Sequence, residues 1–104
     1  IADMVTELVA ARNMTRLAAF KIDQGHGEAT TYSAMAKRYA TDVGFNVCNE
    51  ALQIFGGYGY IQEYPLERNV RDVRVHQILE GTNEIMRMII GRRMIMEDAA
   101  SIIQ

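Results

Sequence analysis

The segment 77–84, with the sequence QILEGTNE, places one carboxylate, Glu80, between two stretches of helical periodicity and directly before a glycine. A carboxylate there can point towards a ligand while the helices hold the backbone on either side. Gly81 has no side chain, so a flat or bulky group can approach the backbone beside the acid. Thr82 or Asn83 could cap the following helix, whose first amide groups would then face a nearby anion. The segment fits a general base that acts once a ligand has expelled water. It also fits a solvated acid that stabilises the start of a helix.

A second candidate is the glycine cluster formed by Gly56, Gly57 and Gly59. A glycine at the end of a helix usually forms a left-handed cap. Three glycines within four residues exceed what a cap requires, and they expose amide groups that could lie against a phosphate. Nucleotide phosphate loops follow a strand and precede a helix, whereas this cluster follows a helix. A simple cap and a loop that contacts a ligand both remain open.

Other polar residues give weaker signals. His76 and Glu80 stand four residues apart, but a catalytic zinc site needs three protein ligands and a structural site needs four. We therefore expect no metal. Arginines and acids alternate on the last two helices as on a salt-bridged solvent face: they are Arg68, Arg71, Arg74, Arg87, Arg92 and Arg93 with Glu67, Asp72, Glu84 and Glu97. With a formal net charge of −2, no nucleic-acid partner is expected.

Hydrophobic periodicity predicts four helices that position these residues. Their approximate ranges are residues 1–24, Thr30 or Thr31 (either as the cap) to 54, Pro65 at a first helical position to Leu79, and Thr82 through Ala99 to the C terminus. Residues between Phe55 and Tyr64 are expected to form a loop, and the Met and Ile stripes of the helices to form the core. Long helices joined by short loops should pack antiparallel, so the predicted fold is an all-α, up-and-down four-helix bundle.

The chain length of 104 residues suits one small domain. No apolar run approaches the ~20 residues that cross a membrane, and no signal-peptide pattern opens the chain. The lone Cys48 fits a reducing compartment and is expected to be a small, buried apolar residue. Because Ile1 lies in helical periodicity without a preceding Met, we expect a fragment of a longer protein.

Several of these segments, taken in order, resemble the C-terminal helical domain of the acyl-CoA dehydrogenases. The matching residues are SAMAK (33–37), ALQIFGGYGY (51–60), EYP (63–65), VRD (70–72) and QILEGTNEIMRMIIGR (77–92). The likeness covers essentially the whole chain, 1–104. Within the family, residues 69–81 are most similar to the isobutyryl-CoA, or short branched-chain, branch.

The resemblance implies a flavoprotein that oxidises an acyl-CoA to its trans-2-enoyl-CoA and passes the electrons to electron-transferring flavoprotein. Glu80 falls on the base that removes the α-proton while the β-hydrogen leaves as hydride to FAD. Gly81 and Leu79 fall on substrate contacts. Some branches carry an aromatic residue at the position of Leu79, which implies a differently shaped acyl pocket. The remaining implied residues contact FAD: they are Thr82, Asn83 and Glu84, and also Gln53, Ile54, Phe55, Gly56 and Gly57, which reach FAD bound mainly by another subunit of a homotetramer or homodimer.

The resemblance also implies what lies outside these residues. Whole enzymes of the family are several times longer, with an N-terminal helical domain and a middle β-domain, so we expect the 104 residues alone to be inactive. The implied location is the bacterial cytoplasm or the mitochondrial matrix. Two alternatives stay open: a non-catalytic helical oligomerisation module, and another flavoenzyme on the same fold, such as an acyl-CoA oxidase or a nitroalkane-oxidising relative.

Overall fold

The computed structural model describes residues 1–96 and 102–103. Five helices follow one another: α1 (Ala2–Asp23), α2 (Ala29–Phe55), α3 (Gly57–Tyr60), α4 (Leu66–His76) and α5 (Asn83–Met96). Within the described residues no strand occurs. The prediction of an all-α fold with four long helices is therefore confirmed.

Several helix boundaries differ from the prediction. The expected loop after Phe55 contains the one-turn helix α3, because the chain re-enters helical geometry after bending at Gly56. Helix α4 starts after Pro65 and ends at His76 rather than Leu79. Ala99, which the hydrophobic periodicity places in the fourth helix, lies outside the described residues.

The predicted threonine cap of the second helix is wrong. Helix α2 begins at Ala29, after Glu28, so both Thr30 and Thr31 lie inside it. Thr31 is fully buried, and its hydroxyl donates a hydrogen bond to Glu28 Oε2 at 2.8 Å. The threonine thus stabilises the first turn by binding the acid before it.

Helix α2 is the central element, and the other long helices pack along it. On α1, Glu7 accepts a 2.6 Å hydrogen bond from the Tyr39 hydroxyl. Lys21, near the end of α1, lies over the ring of Tyr32 near the start of α2. These contacts make α1 antiparallel to α2.

Helices α4 and α5 also run antiparallel to α2, one after the other. Gln77, at the end of α4, bonds Asp42 in the middle of α2 at 2.8 Å. Arg93, late in α5, bonds Glu28 at the start of α2 at 3.1 Å. Helix α5 therefore continues in the direction of α4 instead of turning back, and the segment between them is a joint within one line of helices.

The core is thin and consists of small side chains. The buried apolar residues are Ala11, Ala18, Ala34, Ala36 and Val43, and small residues allow the helix backbones to approach closely. The prediction that the Met and Ile stripes are core is wrong for Ile1, Ile22, Ile54, Ile85, Met88, Ile95 and Met96, which are exposed. Because α2 covers one face of each neighbouring helix, their outer apolar faces stay open.

The structure also bears on the predictions for Cys48 and for membrane-spanning segments. Cys48 is half-buried, and burial raises the pKa of its thiol, which agrees with an unreactive side chain. None of the described helices has the length and apolar character needed to cross a membrane.

Candidate functional site

The joint, residues 77–83, holds Glu80 in an unusual backbone conformation. Glu80 has φ 53°, the only positive φ at a non-glycine residue in the described part of the chain, and Gly81 has φ 93°. A non-glycine residue held in this region costs about 1–3 kcal/mol and persists only where its surroundings enforce it. The backbone amide of Asn83 donates to the carbonyl oxygen of Gln77 at 3.0 Å, which closes the joint into a tight loop.

Position 81 requires glycine for a steric reason as well as for its positive φ. A Cβ atom at this position would lie 2.6 Å from the terminal methyl of Met86. The side on which a side chain would stand is thus occupied by a residue of α5. A ligand would have to approach the backbone of Gly81 from another direction.

Asn83 ties the joint to α2. Its side chain is only 3% exposed, and its Oδ1 accepts a 2.8 Å hydrogen bond from Lys37 Nζ. Its Nδ2 lies 2.7 Å from Asp42 Oδ1 and 2.8 Å from Thr41 Oγ1. The side chain predicted to contact FAD is thus directed at α2, and its backbone is what remains for a ligand.

Lys37 contacts the joint a second time. Its Nζ donates a 2.7 Å hydrogen bond to the carbonyl oxygen of Gly81, directly after Glu80. Lys37 comes from the resembling SAMAK segment, but no role for its side chain was predicted. These bonds join residues more than forty positions apart, so the sequence pattern alone did not reveal them.

Asp42 is the acid that organises the cluster. Burial by itself raises the pKa of this carboxyl, but hydrogen bonds from Gln77 and Asn83 and the charges of Arg87 and Arg38 outweigh burial. The pKa of Asp42 therefore lies below its ordinary value. The group is ionised at neutral pH and links the end of α4 to the start of α5.

The arginines divide into two groups. Arg71 with Glu67 at 2.8 Å and Arg68 with Asp72 at 3.4 Å form i,i+4 pairs on α4, so the prediction of a salt-bridged solvent face is confirmed there. It is wrong for two arginines of α5. Arg87 pairs with Asp42 at 3.3 Å, and Arg93 pairs with Glu28, so both fasten α5 to α2.

Glu80 is exposed and lines a cleft. The cleft has a volume of about 220 Å³ and is lined by Lys37, Thr41, His76, Leu79 and Glu80 itself. Among the ion pairs of the described residues none involves Glu80. Leu79, the predicted substrate contact, is 46% exposed beside it. An acid that has no ion-pair partner among the described residues and lines a cleft is placed to take a proton from a ligand.

Thr82 and Glu84 form the start of α5. Of the two candidate caps, Thr82 has the capping contact, since its Oγ1 accepts a hydrogen bond from the Ile85 amide at 3.4 Å. Hydrogen bonds from its own backbone amide and from the Thr82 hydroxyl hold the pKa of Glu84 below its ordinary value. Both residues can therefore present polar atoms beside Glu80.

The glycine turn, residues 56–64, is the second predicted ligand segment. Gly56 has φ 62° and ψ −141°, a combination that only glycine adopts readily. Added Cβ atoms at Gly56 and Gly57 would meet nothing within 4 Å, whereas one at Gly59 would lie 2.7 Å from the Leu52 carbonyl oxygen. Gly59 thus serves packing, while Gly56 and Gly57 leave the backbone open.

Side chains around the glycine turn are largely exposed. The last three residues of α2, Gln53, Ile54 and Phe55, are exposed. The ring of Tyr64 packs against those of Phe55 and Tyr58 at centroid distances of 6.0 and 5.5 Å. About eleven helical residues separate Asp42 from Gln53, or roughly 17 Å along α2. The structure therefore does not bring the two predicted ligand segments together within one chain.

Comparison with known proteins gives consistent matches. The sequence model of the family "Acyl-CoA dehydrogenase, C-terminal domain" matches residues 1–95. Mitochondrial isobutyryl-CoA dehydrogenase of Bos taurus is 50% identical over 97 residues, which are 93% of this chain and 23% of that protein. This chain spans about a quarter of the length of the curated relatives it matches.

Two solved structures are similar as well. Butyryl-CoA dehydrogenase from Megasphaera elsdenii superposes with a TM-score of 0.85 at 47% identity, covering 89% of this chain and 24% of that chain. A chain in a structure described as the electron transferring flavoprotein of Acidaminococcus fermentans superposes with a TM-score of 0.87 at 43% identity, covering 91% and 25%.

Proposed function

Because this chain belongs to the acyl-CoA dehydrogenase family, as its C-terminal domain, we propose that it carries the catalytic base of an FAD-dependent enzyme. That enzyme converts a short or branched acyl-CoA into its 2-enoyl-CoA. The similarity to isobutyryl-CoA and butyryl-CoA dehydrogenases supports the choice of substrate. The length and branching of the acyl group would be selected by Leu79 together with residues outside these 104.

Glu80 is the base in this proposal. The observation that carries it is the geometry of the joint, where a left-handed Glu80 opens onto a cleft while hydrogen bonds fix the backbone on both sides. The α-protons of a thioester are far too weakly acidic for a carboxylate in water. Donors to the thioester oxygen and the exclusion of water must therefore assist the transfer, and those groups would come from other parts of the enzyme.

The residues of this chain fit FAD as one wall of its site. Gly56 and Gly57 leave open space where side chains would stand, so a flat ring system can lie against their backbone. Thr82 and Glu84 offer polar atoms at the start of α5. When bound, FAD supplies the acceptor for the hydride that leaves the β-carbon.

The proposal extends to assembly. The glycine turn would reach FAD held mainly by another subunit, as the family resemblance implies, and its distance of roughly 17 Å along α2 from the cluster around Asp42 supports a separate role for this segment. The exposed apolar residues of the helices, for example Phe20, Ile54 and Met88, would be covered in a homotetramer or homodimer. Electron-transferring flavoprotein is the proposed electron acceptor, which the similarity to a chain of the Acidaminococcus structure supports. The proposed location is the mitochondrial matrix or the bacterial cytoplasm.

Substitution of Glu80 tests the proposed function in the full-length holoenzyme. Glu80→Gln keeps the size of the side chain but cannot accept the α-proton, so turnover should fall by roughly 10²- to 10⁴-fold. Flavin content should stay at the wild-type level. The measurement is steady-state oxidation of isobutyryl-CoA and butyryl-CoA, with the flavin absorbance recorded on the same preparations.

Glu50→Gln is the matched control, because Glu50 is an exposed acid on α2 away from the joint. It should leave turnover unchanged. Wild-type rates in Glu80→Gln would reject Glu80 as the base, and an equal loss in Glu50→Gln would show that the assay reports a general effect.

A further inference from the structure

Lys37 makes two short contacts with the joint that holds Glu80. It is half-buried on α2, and its Nζ bonds the Gly81 carbonyl oxygen at 2.7 Å and Asn83 Oδ1 at 2.8 Å. An ammonium group has three donors, so most of its capacity is spent on this segment. We propose that Lys37 is a positioning residue that sets the direction of the Glu80 carboxylate, a role that rests on the proposed function of Glu80 as the base.

The contacts of Lys37 act where the backbone is otherwise least restrained. The hydrogen bond between the Asn83 amide and the Gln77 carbonyl holds the ends of the joint. Inside it, Gly81 has no side chain to limit its torsions. Lys37 fixes the carbonyl of that glycine, and the preceding left-handed residue is Glu80 itself. Without the ammonium group the peptide after Gly81 can rotate, and the carboxylate loses its single direction.

The rest of the cluster keeps Lys37 in place. Asn83, which accepts one of its hydrogen bonds, is itself bound to Thr41 and Asp42. Lys37 and Glu80 line the same cleft, but the hydrogen bonds of Lys37 go to the joint and not to the carboxylate. The base thus stays free to accept a proton while its backbone is held.

Lys37→Met tests this role in the full-length holoenzyme, because methionine retains most of the stem but has no donor. The rate of flavin reduction by isobutyryl-CoA in single turnovers should fall roughly 10- to 100-fold, the scale expected for a misplaced reacting group. The effect of α-deuterium substitution in the substrate on that rate should increase, because proton removal becomes more fully limiting. Substrate KM should change little.

Lys21→Met is the matched control, since Lys21 is the other lysine of the chain and contacts Tyr32 far from the joint. It should leave the rate and the isotope effect unchanged. A wild-type rate and isotope effect in Lys37→Met would overturn the proposal.

A double variant separates positioning of the base from a general structural effect. If Lys37 acts through Glu80, adding Lys37→Met to Glu80→Gln leaves the residual rate unchanged, because interacting residues are not additive. A further fall by the factor seen in Lys37→Met alone would overturn the proposal. The single variants separate the two hypotheses: a fully active Glu80→Gln rejects the base and Lys37 together, whereas a slow Glu80→Gln with a normal Lys37→Met rejects Lys37 only.

Lys37→Arg covers the case in which Lys37→Met does not assemble with flavin. Arginine keeps the charge and the donors but presents them in a planar fork of different reach, so the rate should fall and the isotope effect should increase, both by less than for a neutral residue. If both Lys37 variants fail to assemble while Lys21→Met succeeds, the contact serves folding, and the positioning role is rejected.

Discussion

The joint (residues 77–83) and the glycine turn (residues 56–64) both connect helices through a glycine with positive φ, but they are anchored to different parts of the molecule. Side chains of α2 bind the joint over more than forty residues of sequence. The glycine turn is closed by short-range backbone bonds, such as that from Gly59 to Gly56 at 2.9 Å, and its neighbouring rings are exposed. The joint is built to hold one side chain in place, whereas the turn presents an open backbone to another molecule or domain.

The largest effect should follow from removing the side chain that connects the joint to α2. Asn83→Ala deletes hydrogen bonds to Lys37, Thr41 and Asp42 and leaves charged partners unsatisfied. The free energy of unfolding should fall by about 3 kcal/mol. Urea unfolding of the chain measures it.

Asn49→Ala is the control for that change, because Asn49 is an exposed asparagine on α2, outside the joint. Its effect should stay within about 0.5 kcal/mol. Equal losses in the two variants would mean that the joint is held no more firmly than the protein surface, and the contrast with the glycine turn would fail.

The glycine turn should respond to its backbone conformation rather than to lost contacts. Gly56→Ala introduces a side chain at φ 62° and ψ −141° but meets no neighbouring atom within 4 Å. Its cost is therefore strain alone, about 1–3 kcal/mol. Gly57→Ala, next to it in helical geometry and with equally open space, should be neutral or stabilising by up to about 1 kcal/mol.

Thermal unfolding of the two alanine variants side by side measures this difference. Equal destabilisation would show that crowding, and not the left-handed conformation of Gly56, limits substitution in the turn. In the holoenzyme, Gly57→Ala tests whether Gly57 lies against flavin. If it does, the added methyl group should weaken FAD binding without destabilising this chain.

Sequence patterns predicted the local features of both regions and missed the contacts that distinguish them. Helical periodicity placed the four long helices, and the residue types at Glu80 and Gly81 identified the joint. The side chains that hold the joint, Lys37 and Asp42, lie on a helix more than thirty positions earlier, and no local pattern specifies which turn of α2 they meet.

Exposure was the other feature that periodicity could not predict. An apolar stripe, such as the one that includes Ile85 and Met88, indicates a face to be covered but not what covers it. Both residues are exposed in this chain, which spans about a quarter of its relatives. Arg87 shows the converse, since a charge expected in solvent instead pairs with Asp42 on α2.

The smallest effect should be a pH dependence confined to the joint. Because the pKa of Asp42 is lower in the folded chain than its ordinary value, the unfolded chain binds more protons near pH 4. The stabilisation is therefore complete above about pH 4 and is lost as the pH falls through the lower pKa of the folded state. Glu67 and Glu84 also have lowered pKa values, so the contribution of Asp42 is the difference between wild type and Asp42→Asn.

Hydrogen exchange can assign that loss to one region. Protonation of Asp42 weakens its bonds to Gln77 and Asn83, so the Asn83 amide should exchange faster at pH 3 than at pH 5, after correction for intrinsic rates. The Gly59 amide in the glycine turn should show no such change, and Asp23→Asn, at the exposed end of α1, should leave both amides as in wild type. A parallel acceleration at Gly59 would mean that acid loosens the whole chain, because a carboxylate that stabilises only the joint has no contact through which to affect the turn.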